Sequence, residues 1–204
     1  MLTRRTFAAT AALLALSGWV AAPSFAQPAD AGARDFIERL GNEAISTFAR
    51  TDLSRQQALS SFTRLLHEGF DVPYIGRWVL GRHWNAATPQ QQQEYLNLFE
   101  RLIVDTYANR FLEYSGETFR IAGSRPEGER DTMVQTQIVR PAGPPVQVEW
   151  RVRQQAPGTF KIIDVVVEGV SMGVTQRSEF ASVVQSRGGI TGLIDALRSR
   201  VSQG

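Results

Sequence analysis

Histidine and cysteine set the first limits on the chemistry of this chain. The 204 residues include no cysteine, which excludes disulfide bonds, thiolate catalysis and zinc sites built on cysteine. The only histidines are His67 and His83, and the His67-Glu68 pair lacks the second histidine of an H-E-x-x-H zinc site. We therefore predict no metal, and we expect both histidines at the surface or at helix ends.

A serine in a five-residue motif is the next candidate. Gly169-Val170-Ser171-Met172-Gly173 matches G-x-S-x-G, in which esterases place a nucleophile between a strand and a helix. That mechanism needs a histidine later in the chain as the base, and both histidines precede Ser171. The sequence therefore argues against a serine hydrolase.

Asp164 interrupts the otherwise apolar segment 160–167. A carboxyl group buried in a pocket can act as a general base. The favoured alternative is a structural carboxylate, either paired with an arginine or facing solvent at a strand edge. The sequence has no glycine-rich phosphate loop, so we predict no cofactor and no catalytic residue.

Charge and composition describe a folded protein without a nucleic-acid partner. Hydrophobic residues make up 43% of the chain, too many for a disordered protein. The 22 basic and 20 acidic residues give a formal net charge of +2, whereas nucleic-acid binding needs a clear basic surplus on one face.

Residues 1–26 have the features of an export signal. Two arginines precede an uncharged apolar run at 8–22, and Ser24-Phe25-Ala26 fits a cleavage site at its end. The run is short for a membrane-spanning helix, so an uncleaved anchor is the less favoured alternative. Residues 3–7 partly resemble a twin-arginine signal, which leaves Tat and Sec export both open. We expect residues 27–204 to form one exported domain.

Apolar periodicity predicts helices in the first half of this domain and at its end. Phe36, Leu40, Ala44 and Phe48 recur every four residues and share one helix face. Cap residues and glycines set the limits of the other helices. The predicted helices cover 30–50, 54–69, 71–80, 88–114, 175–188 and 191–201.

A period of two begins near residue 117 and predicts strands. Val146, Val148, Trp150 and Val152 alternate with polar residues, which is typical of a strand with one buried face. The apolar run at 160–167 is typical of a central strand covered on both faces. The remaining predicted strands are 118–121, 132–139 and an extension through Val170, Met172 and Val174 beyond a bulge at Gly169. The predicted fold class is α+β, with a curved, mainly antiparallel sheet and helices packed on one side.

Large apolar side chains are numerous for one small domain. The chain has 11 phenylalanines and 4 tryptophans, among them Trp78, Trp84 and Trp150. They either fill a dry core or enclose an apolar ligand, and periodicity does not separate the two.

Several stretches, in one order along the chain, resemble the MlaC family of toluene-tolerance proteins. They are FDVPYIGRWVLGRHW at 70–84, TP at 88–89, TY at 106–107, YSGE at 114–117, WRV at 150–152, KIIDV at 161–165, EGVS at 168–171 and RSEF at 177–180. Residues 27–60 match the family least. The resemblance implies a periplasmic, non-enzymatic phospholipid carrier with a fold similar to the NTF2-like cone and an apolar cavity.

The same resemblance implies the partners. The family exchanges lipid with an inner-membrane ABC transporter complex resembling MlaFEDB and with an outer-membrane lipoprotein and porin complex, and so maintains outer-membrane lipid asymmetry. For such a carrier, inward periodicity predicts the residues that contact the lipid tails. They are Ile75, Val79, Phe99, Leu102, Ile103, Tyr107, Val148, Trp150, Ile163, Val165 and Val167.

Two other functions are alternatives to a phospholipid carrier. The cargo of a related carrier could be a hopanoid or sterol-like lipid. NTF2-like cones also include isomerases and dehydratases that use a pocket acid, here Asp164. Surface arginines such as Arg77, Arg82 and Arg110 either guide docking to acidic partners and lipid phosphates or simply face solvent.

Overall fold

A computed structural model describes residues 27–50, 52–112 and 116–202. Within these ranges the chain forms seven helices and five strands. The helices are α1 (Gln27–Phe48), α2 (Arg55–Gly69), α3 (Val72–Leu80), α4 (Arg82–Ala86), α5 (Pro89–Leu112), α6 (Met172–Ser186) and α7 (Ile190–Val201). The strands are β1 (Thr118–Glu127), β2 (Asp131–Val139), β3 (Val146–Ala156), β4 (Thr159–Val167) and β5 (Val170–Ser171). The predicted export signal, residues 1–26, lies outside the described residues.

Capping side chains begin helices α2, α3 and α5 where the sequence predicts them. The Gln91 amide donates to Thr88 Oγ1 at 3.2 Å, and the Thr88 amide donates to the Gln91 side chain at 3.0 Å. This reciprocal pair is the predicted capping box of α5. Ser54 begins α2 with the same arrangement through Gln57, and Asp71 caps α3. These predictions are confirmed.

Helix α5 is the longest of the described helices, at 24 residues, and polar side chains occur along its whole length. No helix within the described ranges combines the length and the apolar composition needed to cross a bilayer. The five-residue helix α4 was not predicted, because its composition differs little from that of a loop. It directly follows Gly81, which ends α3 as predicted with a φ of +58° that favours glycine.

The sheet has the order β1-β2-β3-β4-β5 and is antiparallel throughout. It is curved and does not close into a barrel. The predicted α+β class with a curved antiparallel sheet is confirmed. Strand β1 is longer than the predicted segment 118–121, because a register shift between Ile121 and Gly123 breaks the alternation that marks a strand in sequence.

The position of β4 differs from the prediction of a central strand covered on both faces. Its neighbours are β3 along its length and the two-residue β5 at one end, with an isolated parallel bridge from Phe70 to Ile162. The residues from Asp164 onward are only half buried. The apolar composition of β4 therefore reflects contacts made at different points along the strand.

The chain reverses after β4, which makes the predicted strand extension wrong. Glu168 and Gly169 both have positive φ, +48° and +80°, and they form a tight turn instead of a bulge. Val170 then pairs antiparallel with Val167 in β5. The period-two spacing of apolar residues in this segment spans a turn and a helix start, so it does not continue one strand.

Helix α6 begins at Met172, three residues before the predicted start. The Val174 amide donates to Ser171 Oγ at 3.0 Å, so Ser171 is the cap. Thr175 lies inside the first turn, where its hydroxyl donates to the Ser171 carbonyl at 2.9 Å. The prediction of Thr175 as the cap is therefore wrong, because an earlier side chain already accepts the amide hydrogen bond.

Two separate apolar cores hold the layers together. The larger one lies among α2, α3, α5, α6 and α7, and its most buried side chains include Tyr95, Val79 and Leu193. The smaller core joins α1 to the sheet, and its buried members are Ala33, Ile37, Val134, Val152, Phe160 and Ile162. Leu40 and Phe70 pack against both cores. The sheet therefore has an inner face toward α1 and a polar outer face.

Candidate functional site

An apolar row crosses the inner face of the sheet from strand to strand. Register pairing places Ile121 opposite Thr136, Thr136 opposite Val148, Val148 opposite Val167, and Val167 opposite Val170. Directly opposed residues of an antiparallel pair lie on the same face, so all five side chains share it. Thr136 and Val148 are almost fully buried, whereas Val170 is 53% exposed. The row thus leads from the interior of the sheet to its open edge.

A second row contains Trp150, which lies opposite Val134 on β2 and Val165 on β4. Its indole Nε1–H donates to Thr136 Oγ1 at 2.9 Å, and the Thr136 hydroxyl donates to the Val148 carbonyl at 2.9 Å. The polar atom of Trp150 is therefore satisfied within the sheet. The rest of the indole adds apolar surface beside the sheet core.

A bulge changes the face assignment of one predicted residue on β4. Arg151 pairs with Asp164 and Val152 pairs with Ile162, so Ile163 is the extra residue between them. Ile162, the residue before it, is fully buried in the sheet core, and Ile163 is buried outside that core. Simple alternation placed Ile163 on the face of Val165, because a bulge leaves no mark in the apolar pattern.

The predicted helix residues lie in the other core. Val79, Phe99 and Leu102 are buried members of the helical core, and Ile75 and Ile103 pack against it. Tyr107, near the end of α5, is 37% exposed.

The residues predicted to line the lipid site therefore do not lie together in one core of the structure. Trp150 and Val165 pack against the sheet core, while the helix residues other than Tyr107 lie in the helical core or pack against it. Leu40 and Phe70 touch both cores, and the prediction of the lining did not include them. In the sequence, Leu40 is marked only by the four-residue apolar spacing of α1, and Phe70 only as the first residue of the 70–84 stretch. Neither signal distinguishes a residue between two cores from one inside a single core.

Asp164 has a structural role, as the favoured interpretation held. Its Oδ2 accepts a hydrogen bond of 2.6 Å from the Ser171 hydroxyl. Its Oδ1 accepts hydrogen bonds from the amides of Val165 at 2.9 Å and Gly173 at 3.1 Å. The carboxylate thus joins β4 to the start of α6. Its partners are a hydroxyl and two amides, and not an arginine, which was one of the two structural arrangements that the sequence suggested.

Ser171 and His67 both have structural partners. Ser171 is occupied as the cap of α6 and as the donor to Asp164. His67 Nε2 lies 2.8 Å from Glu100 Oε1 on α5, a surface contact between two helices. Among the described residues, no group of three or more histidine, aspartate and glutamate side chains could hold a metal ion.

A shallow polar groove lies beside the C-terminal end of α2. Its lining is Ser60, Thr63, Arg64, His67, Glu68 and Lys161. Lys161 Nζ donates to the carbonyls of His67 and Glu68 at 2.7 and 2.8 Å, and Arg64 bonds to Glu68 and Glu43. The cations of this groove are thus already used to close the helix end and to pair acids.

The outer face of the sheet carries a buried ionic cluster. Asp131, with a side chain 5% exposed, accepts from Arg153 at 2.7 Å and from Arg151 at 2.9 Å. Arg153 also lies over the ring of Tyr74, 4.7 Å from its centroid. Burial alone would raise the pKa of Asp131, but the two arginine hydrogen bonds outweigh it and the pKa is lowered. This cluster fastens α3 to the outer face of β2 and β3.

Fold and site together define the class of this protein. It is an α+β domain in which a curved, unclosed antiparallel sheet presents an apolar face toward helices, next to a separate helical core. The polar residues that the sequence nominated for chemistry have structural partners: a helix cap for Asp164 and an acid for His67.

Comparison with known proteins identifies the family. The model of the MlaC protein family matches residues 38–199, and the chain belongs to this family. It is 23% identical over 129 residues to the toluene tolerance protein ttg2D of Pseudomonas putida, an alignment that covers 63% of this chain and 60% of that protein. It is 25% identical over 137 residues to the intermembrane phospholipid transport system binding protein MlaC of Haemophilus influenzae, covering 65% of this chain and 63% of that protein.

A solved structure agrees over a larger share of the chain. The phospholipid-binding protein of Ralstonia solanacearum, determined in complex with a phospholipid, superposes with a TM-score of 0.76 at 26% sequence identity. The match covers 84% of this chain and 97% of that one. The chain spans less than two thirds of the length of the two sequence relatives, so the fold is shared more completely than the aligned sequence.

Proposed function

We propose that this protein is a phospholipid carrier that holds the acyl chains of its cargo against the apolar inner face of the sheet. The observation that carries the proposal is the structural match to a family member solved with a phospholipid bound. The cross-strand row from Thr136 to Val170 supports it, because this row supplies continuous apolar surface.

Free energy explains why such a carrier is needed. Exposing hydrocarbon to water costs about 0.8 kcal/mol per CH₂ group, so two acyl chains with about 30 such groups cost roughly 24 kcal/mol. Unassisted transfer between two membranes is negligible at that cost. A carrier has only to cover the chains, so the function requires no catalytic residue.

The acyl chains would lie between the two cores. Trp150 and Val165 pack against the sheet core, whereas Ile75 and Ile103 pack against the helical core. Leu40 and Phe70 contact both cores. Separation of the layers at these two residues would bring Trp150 and Val165 on one side and Ile75 and Ile103 on the other against one guest. The predicted lining residues other than Ile163, which the bulge moves off the inner face, remain the candidates for this contact.

The setting of the carrier is part of the proposal. We place the mature protein in the periplasm, exchanging phospholipid with an inner-membrane ABC transporter complex and an outer-membrane complex. The predicted export signal at residues 1–26 and the name of the Haemophilus influenzae relative, a binding protein of an intermembrane phospholipid transport system, support this placement.

Lipid analysis of the exported protein tests the proposal. The protein is recovered from the periplasm without detergent, and native mass spectrometry and lipid extraction identify what it carries. We expect phospholipid to copurify. Hopanoids or sterol-like lipids alone would contradict the phospholipid assignment, and an empty protein from cells rich in both would contradict the carrier.

A pair of neighbouring variants tests the binding face. Val165 and Val166 are both half-buried, and Val165 lies on the inner face opposite Trp150 whereas Val166 lies opposite Glu149 on the outer face. We expect Val165→Glu to lose most copurified lipid and Val166→Glu to keep it, with circular dichroism confirming that both fold. Equal lipid content in the two variants would contradict the assignment of the inner face.

The enzyme alternative has its own test. If the protein were an NTF2-like isomerase or dehydratase, Asp164→Asn would abolish turnover of a small substrate and leave lipid content unchanged. We expect no such turnover from the wild-type protein. The hydrogen bonds of Asp164 to Ser171 and Gly173 support this expectation, because they occupy the carboxylate in a structural contact.

A further inference from the structure

The turn between β4 and β5 holds a glutamate in an unfavourable backbone conformation. Glu168 and Gly169 both have positive φ, +48° and +80°, as the two central residues of a type I′ hairpin do. Asparagine and glycine tolerate this conformation well, whereas glutamate rarely adopts it. Among the residues that the structure describes, Glu168 is the one non-glycine residue with positive φ. Such a residue persists only where its surroundings hold it in place.

The contacts of Glu168 with Gln147 on β3 explain why a glutamate occupies the turn. The Glu168 amide donates to the Gln147 carbonyl at 3.0 Å, and Glu168 Oε1 accepts from the Gln147 amide at 2.6 Å. If β4 continued past Val167, the next backbone carbonyl would accept from that amide. The carboxylate takes the place of this carbonyl, because the chain turns away at Glu168. We call these two hydrogen bonds the Glu168 clasp.

The hairpin that the Glu168 clasp holds determines where Val170 lies. After the turn, Val170 pairs with Val167 and Ser171 pairs with Val166. Val170 therefore lies on the inner face, at the end of the cross-strand row. Neither the helical core nor the sheet core includes Val167 or Val170, and Val170 is 53% exposed. The row thus ends at the sheet edge in an apolar side chain that neither core covers.

We propose that Val170 contacts the acyl chains of the cargo and that Glu168 is the positioning residue that holds Val170 on the inner face. The inference rests on the proposed function and extends its binding face to the open edge of the sheet. Acyl chains that cover Val170 gain free energy in proportion to the apolar area removed from water. Without the Glu168 clasp, the Gln147 amide loses its acceptor and the unfavourable φ loses the contact that offsets it. The hairpin then loosens and no longer holds Val170 beside Val167.

Two substitutions at Glu168 separate the reach of its side chain from the conformation of the backbone. Glu168→Gln keeps the side-chain length and an oxygen that can accept from the Gln147 amide. Glu168→Asn carries the same amide group on a side chain one methylene shorter, and asparagine suits a positive φ better than glutamate. Pyrene-labelled phosphatidylethanolamine is loaded onto the protein recovered from the periplasm. Its rate of transfer to an excess of phosphatidylcholine vesicles measures release, and hydrogen exchange around Gln147 monitors the Glu168 clasp.

The expected result is a difference between the two Glu168 variants. Glu168→Asn should release the labelled lipid about three- to ten-fold faster than wild type, the equivalent of one lost hydrogen bond. Glu168→Gln should rescue release to within about two-fold of wild type, and only Glu168→Asn should exchange faster around Gln147. Urea unfolding is measured on both variants. Because asparagine favours the turn, stability should change little in Glu168→Asn, whereas a purely structural role would make release follow stability.

Val170 and Val174 provide a second matched pair that leaves Glu168 unchanged. Both valines are 53% exposed, but Val170 ends the inner row whereas Val174 lies in the first turn of α6. Val170→Glu places a charge against the acyl chains and should speed release about ten-fold or more. Val174→Glu should stay within about two-fold of wild type, as surface substitutions usually do. Circular dichroism confirms that each variant folds.

Equal release rates within either pair of variants would overturn the inference. The phospholipid content of the wild-type protein distinguishes this result from a failure of the proposed function. A wild type that carries phospholipid, with no difference between Glu168→Gln and Glu168→Asn or between Val170→Glu and Val174→Glu, ends only the inference. A wild type that neither carries phospholipid nor takes up the labelled lipid ends the carrier, and the inference with it.

Discussion

The hydroxyl of Ser171 donates a hydrogen bond of 2.6 Å to Asp164 Oδ2, seven residues earlier in the chain. The same hydroxyl oxygen accepts from the Val174 amide at 3.0 Å. Ser171 therefore caps α6 and ties that cap to β4. A serine in a hydrolase motif and an acid in an apolar strand are thus explained by one structural contact.

We expect Ser171→Ala to destabilise the fold by about 1 kcal/mol, the usual cost of losing a side-chain cap. Thr175→Ala is the matched control, because Thr175 is a neighbouring hydroxyl that only donates to the Ser171 carbonyl. The control should cost a few tenths of a kcal/mol. Urea unfolding of both variants provides the comparison, and a larger loss in Thr175→Ala would contradict the assignment of the cap.

Stability should depend on the ionisation of Asp131. Its pKa in the folded protein is lowered, because hydrogen bonds from Arg153 and Arg151 outweigh the opposing effect of burial. A lowered folded pKa contributes stability that is fully present above the unfolded pKa of about 4 and is lost as pH falls through the folded value. We expect Asp131→Asn to cost about 2 kcal/mol at neutral pH.

The same difference should shrink in acid. Below about pH 4 the carboxylate takes up a proton in the unfolded chain first, and the folded protein follows only at its lower pKa, so wild type and Asp131→Asn should converge as pH falls through that range. Urea unfolding of both proteins across the acid range measures this convergence. A difference between the two proteins that stays constant down to the lowest pH at which they fold would show that the ionised carboxylate contributes nothing.

Helix α1 approaches the sheet closely at its glycines. A side chain at Gly41 would lie 2.9 Å from the ring of Phe119 on β1. Replacing glycine by valine gains only a few tenths of a kcal/mol in helix propensity, and the added side chain must displace that ring. We expect Gly41→Val to destabilise the protein by about 1–3 kcal/mol. Asn42→Ala, at the next and exposed position, should be neutral or slightly stabilising, and thermal unfolding compares the two.

Local signals in the sequence located most elements of the fold. The capping box at Thr88 and Gln91, the cap at Asp71 and the alternation from Val146 to Val152 all describe neighbours in the chain, and all were confirmed. Such signals depend on hydrogen bonds and side-chain directions within one element. These local signals therefore do not depend on how distant parts of the chain fold.

The errors came from features that depend on distant contacts. The turn at Glu168 requires a positive φ at a non-glycine residue, which no composition rule indicates. Ile163 is an extra residue of β4, between the residues that pair with Arg151 and Val152 of β3. It therefore changes which β4 side chains face inward without changing the apolar pattern of the sequence. The division into two cores also depends on how layers meet. Periodicity predicts which side chains of an element face inward, but it does not assign them to the helical core or to the sheet core.

The polar contact inside the apolar face gives the last prediction. Thr136 and Thr132 both lie diagonally across from Trp150 on the buried face of β2, and the single indole hydrogen goes to Thr136. Thr136→Val leaves this donor unpaired and should cost about 1–2 kcal/mol. Trp150→Phe removes the donor, so the double variant Thr136→Val with Trp150→Phe should be more stable than the sum of the single losses predicts.

A double-mutant cycle measures that coupling, which we expect to be about 1 kcal/mol for Thr136 with Trp150. The same cycle with Thr132→Val should give a coupling near zero, since its hydroxyl does not receive the indole hydrogen. Equal couplings for the two threonines would mean that Trp150 senses only packing and that its hydrogen bond adds nothing. A large coupling of Trp150 with Thr136 alone would mean that this hydrogen bond fixes the orientation of the indole, with its apolar surface on the inner face of the sheet.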